Sequence, residues 1–171
     1  VGLGLGNDDS AGAAIDLQPN GRILARVGAS NVGQGPATVM QQIAAATLGV
    51  PLTQVDVIAN DTALTPDGGV TSASRQTYLS GRALYEAGLA LKRAILEEAA
   101  RLLGCPVDEL DLGERGIERD SMPCLPLREL AQHLEAQGRC LSFTHRLLPP
   151  PTYVILSPEE RARRGVQQYR N

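Results

Sequence analysis

An α+β fold, with mixed hairpins and strands packed with one long and several short helices, is predicted by three features of the sequence. Hairpin and helix signals occur without a regular strand-helix alternation. Residues 74–103 carry helical periodicity throughout, and no internal repeat or low-complexity tract breaks the chain. The 171 residues are read as a single domain, which at this length buries about 70% of its unfolded surface. A sub-division into 1–104 and a small α/β extension, 105–171, is expected from the change to shorter elements after Gly104.

Taken in order, Val1-Gly-Leu-Gly-Leu-Gly6 has glycine at every second position, which suits a strand in a crowded sheet. Residues 13–18 and 22–27 flank Pro19-Asn20-Gly21 and read as a hairpin, the Asn-Gly pair supplying positive φ at low steric cost. A helix follows with Pro36 at its first position, Gly49 past its end and Pro51 beyond, its apolar stripe being Val39, Met40, Ile43, Ala44 and Leu48. A strand over 53–59 and a loop of turn formers over 60–69 come next.

The long helix has Leu84, Ala87, Leu91, Ile95 and Leu102 on one face and Arg82, Glu86, Arg93, Glu97 and Arg101 on the other. A break is expected near Ser80-Gly81, and Gly104 closes the helix. Residues 110–119 and 122–125 are expected to pair as a small hairpin, 126–137 to form a short helix ending at Gly138, and 139–147 a strand. Pro149-Pro-Pro151 must be extended. Ser157-Pro-Glu-Glu160 resembles a capping box opening a last helix.

Composition narrows the function. A net charge of −3 leaves no basic surplus for phosphate backbones, so nucleic acid is not an expected partner. One Phe, four Tyr and no Trp make a base-stacking platform unexpected and leave the core to Ala, Leu, Val and Ile. No run of 18 or more apolar residues exists for a membrane helix. Cys105, Cys124 and Cys140 form an odd set without a CxxC pair, suggesting neither a disulfide framework nor zinc and favouring a reducing, cytoplasmic compartment. The chain opens on Val1 inside a Gly-rich strand and is therefore read as an excised piece of something longer.

Two turns combine small residues, an amide side chain and a helix start. In Gly33-Gln34-Gly35-Pro36 the free amide hydrogens of the helix start attract anions, the glycines allow close approach, and the Gln34 amide both donates and accepts. A plain strand-to-helix turn is the alternative. In Asp67-Gly-Gly-Val-Thr-Ser-Ala-Ser-Arg-Gln-Thr77, Ser72, Ser74 and Thr77 supply hydroxyls and Arg75 a planar cation suited to phosphate. Here the alternative is an N-cap cluster, with Ser72 or Ser74 capping and Arg75 solvated. Neither turn has the spacing of a Walker loop or a dinucleotide fingerprint.

Other chemistry is weaker. His133 and His145 have no partner at ligand spacing and read as surface or packing residues. Cys105, beside Pro106 and acidic residues, reads as an inert thiol, and Cys124 and Cys140 as small apolar fillers. Asp61 and Asp67 are preferred as turn residues over a carboxylate pair.

Together, Gly33-Gln-Gly-Pro-Ala-Thr-Val-Met-Gln-Gln-Ile-Ala-Ala-Ala-Thr-Leu-Gly-Val-Pro51, Val55-Asp-Val, Asp61-Thr-Ala-Leu-Thr-Pro-Asp-Gly-Gly69 and Ala73-Ser-Arg-Gln-Thr77 resemble the molybdopterin-binding large subunit of the molybdenum hydroxylases, the family of xanthine dehydrogenases and aldehyde oxidoreductases. The resemblance runs in order from about residue 1 to 103, and 104–171 follows the family mainly by layout. It implies a molybdopterin-type molybdenum cofactor, of which the cytosine dinucleotide is one form. It also implies that Gln34, with Gly33 and Gly35, lies near the molybdenum without ligating it, and that Ala73, Ser74, Arg75 and Gln76 hold the pterin and phosphate portion.

The resemblance further implies partners: the remainder of the large subunit, 2Fe-2S and FAD parts on other domains or subunits, and a small-molecule substrate. Asn31-Val32 stands where many members have an acidic residue. The family's glutamate base lies further downstream and does not correspond to Glu159 or Glu160, so no catalytic residue is assigned. The expected function is part of the cofactor-binding region of an enzyme that oxidises an aldehyde or N-heterocycle with water as oxygen source, inactive as an isolated fragment. A stand-alone phosphate- or nucleotide-binding module and a noncatalytic assembly domain are the alternatives.

Overall fold

The structure, a computed structural model, describes residues 10–72, 74–148 and 158–164. The expected strand at the N-terminus, the triple proline and Ser157 of the capping box lie outside the described residues. Pro158–Arg164 is a short helix, α4.

The described chain opens with the predicted hairpin, β1 (Ala11–Leu17) and β2 (Ile23–Val27). Its loop is longer than the Asn-Gly pair. Gln18 N–H bonds Arg22 O at 2.9 Å, and Gly21, at φ 82°, takes the left-handed conformation the turn requires. From β2 the chain crosses through α1 (Pro36–Leu48) to β3 (Val55–Ala59), parallel to β2, which is one strand-helix-strand unit in a fold not expected to alternate. Gly49, at φ 84°, ends α1 by donating to Ala45 O.

The main sheet has the order β3-β2-β1-β7, where β7 is Leu141–Leu147 and pairs antiparallel with β1 from Ala11↔Leu147 to Leu17↔Leu141. Every residue of β1 is buried, because it is an inner strand with helices against one side and backbone lying over Gly12, where a Cβ would sit 2.8 Å from Pro66 Cβ. Small residues are therefore required there. Ala11, Gly12, Ala13 and Ala14 meet that demand.

α2 (Arg75–Leu103) is one continuous helix packed on α1, β1 and β7. The expected break at Ser80-Gly81 does not occur. Both residues are buried, and a Cβ on Gly81 would lie 2.8 Å from Ile43 Cδ1, so the pair marks the close crossing of α1 and α2. Leu84, Ala87, Leu91 and Ile95 form the buried stripe, but Leu102 is 41% exposed because the helix end runs past the sheet it covers. Arg82–Glu86 and Arg93–Glu97 form ion pairs on the outer face at 2.5 and 2.8 Å.

Residues 110–119 make a hairpin of their own, β4 (Leu110–Gly113) and β5 (Gly116–Arg119), to which β6 (Met122–Leu125) adds as a third antiparallel strand. A helix, α3 (Leu127–Ala136), leads from there to β7. Leu112, Ile117, Leu130 and Leu134 join the same apolar cluster as Ile15, Ile23, Leu84 and Leu91. Cys124 and Cys140 are exposed, not apolar fillers: Cys124 lies on β6, where the other three-stranded-sheet residues Met122 and Pro123 also face outward. Cys105 is half-buried, and all three thiols are free.

The junction between α3 and β7 is tied to α2 by a buried carboxylate. Glu98 accepts from the Arg139 guanidinium, with Nη1 at 3.1 Å, and from Arg101 at 3.0 Å. The hydrogen bond from Arg139 is the main cause holding the Glu98 carboxyl below the usual range, against the opposing effect of its burial. A carboxyl lowered in the folded state stabilises the fold above its unfolded pKa and loses that contribution as pH falls through the folded value. Glu98→Gln should accordingly lower Tm at pH 7 by about 3 °C. Thermal unfolding followed by circular dichroism should show the gap to the native chain begin to close as pH falls below about 5, where unfolded glutamate starts to take up protons, and vanish once the folded carboxyl is also protonated.

Candidate functional site

Both singled-out turns lie at the same end of the main sheet, where β2 leaves it and α2 begins. In the first, Gly33 (φ 102°) and Gly35 (φ 67°) adopt conformations that favour glycine, and a Cβ on either would meet nothing within 4 Å. Their role is conformational. Gln34 folds back over its own turn, accepting from Val32 N–H through Oε1 at 2.7 Å and donating through Nε2 to Ser30 O at 2.8 Å. One N–H and one lone pair of the amide remain for a ligand. Asn31 Oδ1 accepts from Gly33 N–H at 3.0 Å, so the position expected to lack an acidic residue uses its neutral side chain to close the turn.

The second turn is held by Arg75, the first residue of α2 and only 2% exposed. Its Nη1 donates to Gly68 O at 3.1 Å and to Val70 O, and its Nη2 to Ser10 O at 3.1 Å. The solvated Arg75 of the capping alternative is thus corrected: the guanidinium is buried among backbone carbonyls. Capping fails as well, since Ser74 occupies the N-cap position in the left-handed conformation (φ 61°) and makes no side-chain cap. Ser72 instead accepts Arg75 N–H through its backbone oxygen, at 3.0 Å. Its buried Oγ has no hydrogen-bond partner among the described residues.

A direct contact of glycine backbones brings the turns together. Gly28, just after β2, lies against Gly68, and a Cβ on either would come 2.5 Å from the other segment's backbone oxygen. Thr71 then reaches the first turn, its Oγ1 accepting from Ser30 N–H at 3.0 Å and from Gln76 Nε2 at 2.6 Å. The result is a cavity of about 380 Å³ between the turns, walled by Val32 and Gln34 on one side and Thr71, Ser72, Ser74 and Gln76 on the other. α1 also begins without a side-chain cap. Backbone N–H groups at both helix starts are left for other partners.

Of the expected site residues, Gln34, Ser74, Arg75 and Gln76 line this cavity, Gly33 and Gly35 shape the first turn, and Ala73 lies outside the described residues. Thr77 also lines it. Thr71 and Ser30 were not singled out by sequence, because their roles depend on a contact across 41 positions. Asp61 and Asp67 hold turns, accepting from Ala63 and Gly69 N–H, both at 2.9 Å. His133 is exposed and bonded to Gln137, His145 lies half-buried on β7, and Glu159 and Glu160 are exposed on α4. A larger groove of about 720 Å³ next to the cavity carries Tyr78 and Tyr85, so two of the few aromatics do share one surface.

Replacing the buried cation should unfasten the second turn. Arg75→Met keeps length but leaves three carbonyls without their donor, and unfolding in urea should show a loss of about 3 kcal/mol.

Comparison with known proteins agrees with this architecture. The family model described as molybdopterin cofactor-binding domain matches residues 1–155. The chain is 39% identical over 125 residues to the putative xanthine dehydrogenase molybdenum-binding subunit of Escherichia coli K12, covering 71% of this chain and 17% of that protein. It is 36% identical over 119 residues to the gamma subunit of the 6-hydroxypseudooxynicotine dehydrogenase complex of Paenarthrobacter nicotinovorans, covering 66% and 15%. Among solved structures, CO dehydrogenase from Oligotropha carboxidovorans superposes with a TM-score of 0.71 at 27% identity, over 81% of this chain and 18% of that one. Quinoline 2-oxidoreductase from Pseudomonas putida 86 shares the fold, with a TM-score of 0.69 at 21% identity over 82% and 19%. The chain spans less than a fifth of each of these proteins. The family-model match over residues 1–155, together with 39% identity over 71% of the chain to a xanthine dehydrogenase molybdenum-binding subunit, makes the chain a member of the molybdopterin cofactor-binding domain family.

Proposed function

We propose that the cavity between the two turns holds part of a molybdopterin-type cofactor, and that the chain serves a molybdenum hydroxylase oxidising an aldehyde or N-heterocycle with oxygen from water. The observation that carries this reading is that, among the described residues, Gln34 lines the same cavity as Thr71, Ser72, Ser74 and Gln76. Its donor set fits an anionic, oxygen-rich group. The Ser72 hydroxyl is buried without a partner among the described residues, and the helix starts on both sides lack side-chain caps. Each of these is satisfied by phosphate or pterin oxygens.

In this reading Gln34 faces the metal end as a neutral hydrogen-bonding amide and does not ligate it. Ser72, Ser74 and the backbone at Gln76 and Thr77 face the phosphate portion. Arg75 supports that portion at one remove: its guanidinium fixes the carbonyls of the turn, and its charge lies behind the helix start. The bound cofactor supplies the two-electron redox centre for oxidising a C–H bond. This chain supplies grip, orientation and a close-fitting wall, and no base. The cytosine dinucleotide form, 2Fe-2S and FAD groups on partner domains or subunits, the remainder of the large subunit and a cytoplasmic location complete the proposal.

Cofactor content tests it. In the intact protein, Gln34→Ala and Ser72→Ala should each reduce bound molybdenum per chain about tenfold under dialysis, as loss of a hydrogen bond to a charged or strongly polar group implies. Metal analysis beside unchanged circular dichroism is the measurement. Full molybdenum content in both variants would remove the cavity from the cofactor site, and turnover by the 171-residue chain supplied with cofactor would contradict the absence of a base.

A further inference from the structure

In the main sheet β7 is an edge. It pairs with β1 along its whole length without a register shift, and its other side has no strand partner among the described residues. The other edges among those residues are short: β3 has five residues, β4 four, and β6 four with Pro123 among them. β7 has seven, with no proline, lysine or bulge. Proteins rarely leave so long a row of backbone N–H and C=O groups open, because another extended chain can pair with it.

The side chains point the same way. Leu141, Phe143 and Leu147 alternate toward the core and pack against it, yet each stays only half-buried. Every residue of the neighbouring strand β1 is buried, and β1 has a strand on each side. On the outer face of β7, Ser142, Thr144 and Arg146 are exposed, with Ser142 and Arg146 bonded to Asp16 and Ser10 on the β1 side. Past the end of the strand the surface remains apolar. Leu147 and Leu148 line the groove of about 720 Å³ together with Tyr78 and Tyr85 of α2, and Leu148 is 68% exposed.

We infer that the open edge of β7 is completed by a further strand from the remainder of the large subunit, paired with β7 backbone to backbone. The pleat fixes its character: apolar residues on the side of Leu141, Phe143 and Leu147, polar residues on the side of Ser142, Thr144 and Arg146. An apolar residue beside Leu147 is seated in the groove. This rests on the reading of the chain as part of such a subunit. The chain spans less than a fifth of its relatives, and a segment of the same subunit meets β7 at an effective concentration that a separate copy reaches only near the millimolar range.

The test makes two measurements on the intact protein. Hydrogen exchange followed by mass spectrometry counts the slow amides over Leu141–Leu147. With a strand on both sides nearly all of the seven amides exchange slowly, by about a hundredfold or more against unstructured chain. With β1 alone only about half do, because alternate N–H groups then face the edge. Photo-crosslinking from a benzophenone amino acid in place of Thr144, exposed on the outer face, identifies the neighbour by the peptide captured. Circular dichroism and molybdenum content of the labelled protein are the controls.

Near-complete protection, with a captured peptide from beyond residues 1–171 of the same chain and no cross-linked dimer on a denaturing gel, supports the proposal. A peptide from a second copy, from a partner subunit or from residues 1–171 themselves overturns it, and so does the capture of none. Protection of about half the amides overturns it whatever is captured, and with molybdenum retained leaves the cofactor reading intact. Full protection in a protein that binds no molybdenum leaves the strand in place and overturns the cofactor reading.

Discussion

The buried guanidinium of Arg75 is the contact on which the arrangement of this end of the molecule depends. A charge removed from water must be compensated, and here backbone carbonyls from three places do so: Ser10 before β1, and Gly68 and Val70 in the loop before α2. One side chain thereby joins the central strand, the loop and the first turn of the long helix. It also explains why α2 starts without a side-chain cap. Ser74 is drawn into a left-handed conformation just outside the helix, and its hydroxyl is left facing the cavity instead of the helix amides.

A second constraint makes the first workable. For the loop to bring its carbonyls to Arg75 it must pass directly over the ends of β1 and β2, and that passage has no room for side chains. Gly12 lies under Pro66 and Asp67, and Gly28 touches Gly68 backbone to backbone. The Gly12 N–H bonds Asp67 O at 2.7 Å, so the close passage is also hydrogen-bonded. The scarcity of aromatics belongs with this geometry. A core of Ala, Leu, Val and Ile lets strands, loop and helices approach closely, and the shape leaves a gap of about 380 Å³ between the two turns.

Along α2 the same helix serves two purposes at its two ends. Its first two turns carry Arg75, Gln76 and Ser80, all buried: Arg75 donates to carbonyls of the loop and of Ser10, Gln76 is bonded to Thr71 at the cavity, and Ser80 to Gln76. Its last turns carry Glu98, which fastens Arg139 and with it the start of β7. Since β7 lies beside β1 over its whole length, the later part of the chain completes the sheet from which the turns project. The three-stranded sheet is packed into the same core and adds support at the far end of α2.

Much of this was legible in the residues. Pro36, Gly49 and Gly104 mark helix ends because capping and φ preferences act within a few residues. The stripe of Leu84, Leu91 and Ile95 is legible because helical periodicity is local. The Gly-Gln-Gly and Ser-Arg-Gln turns could be picked out by composition and resemblance, and both wall the cavity. Sequence did not show that Ser80-Gly81 is a crossing point, that Leu102 runs past the sheet, or that Arg75 is buried. Burial depends on which distant surfaces arrive. By itself, then, the sequence determined the α+β class, most of the element boundaries and the pair of turns whose residues line the cavity. Only the tertiary structure decided that Arg75 meets a carbonyl 65 positions away and Thr71 an amide 41 positions away. Donor and acceptor counts are settled by all neighbours in space, and the chain order records only a few of them.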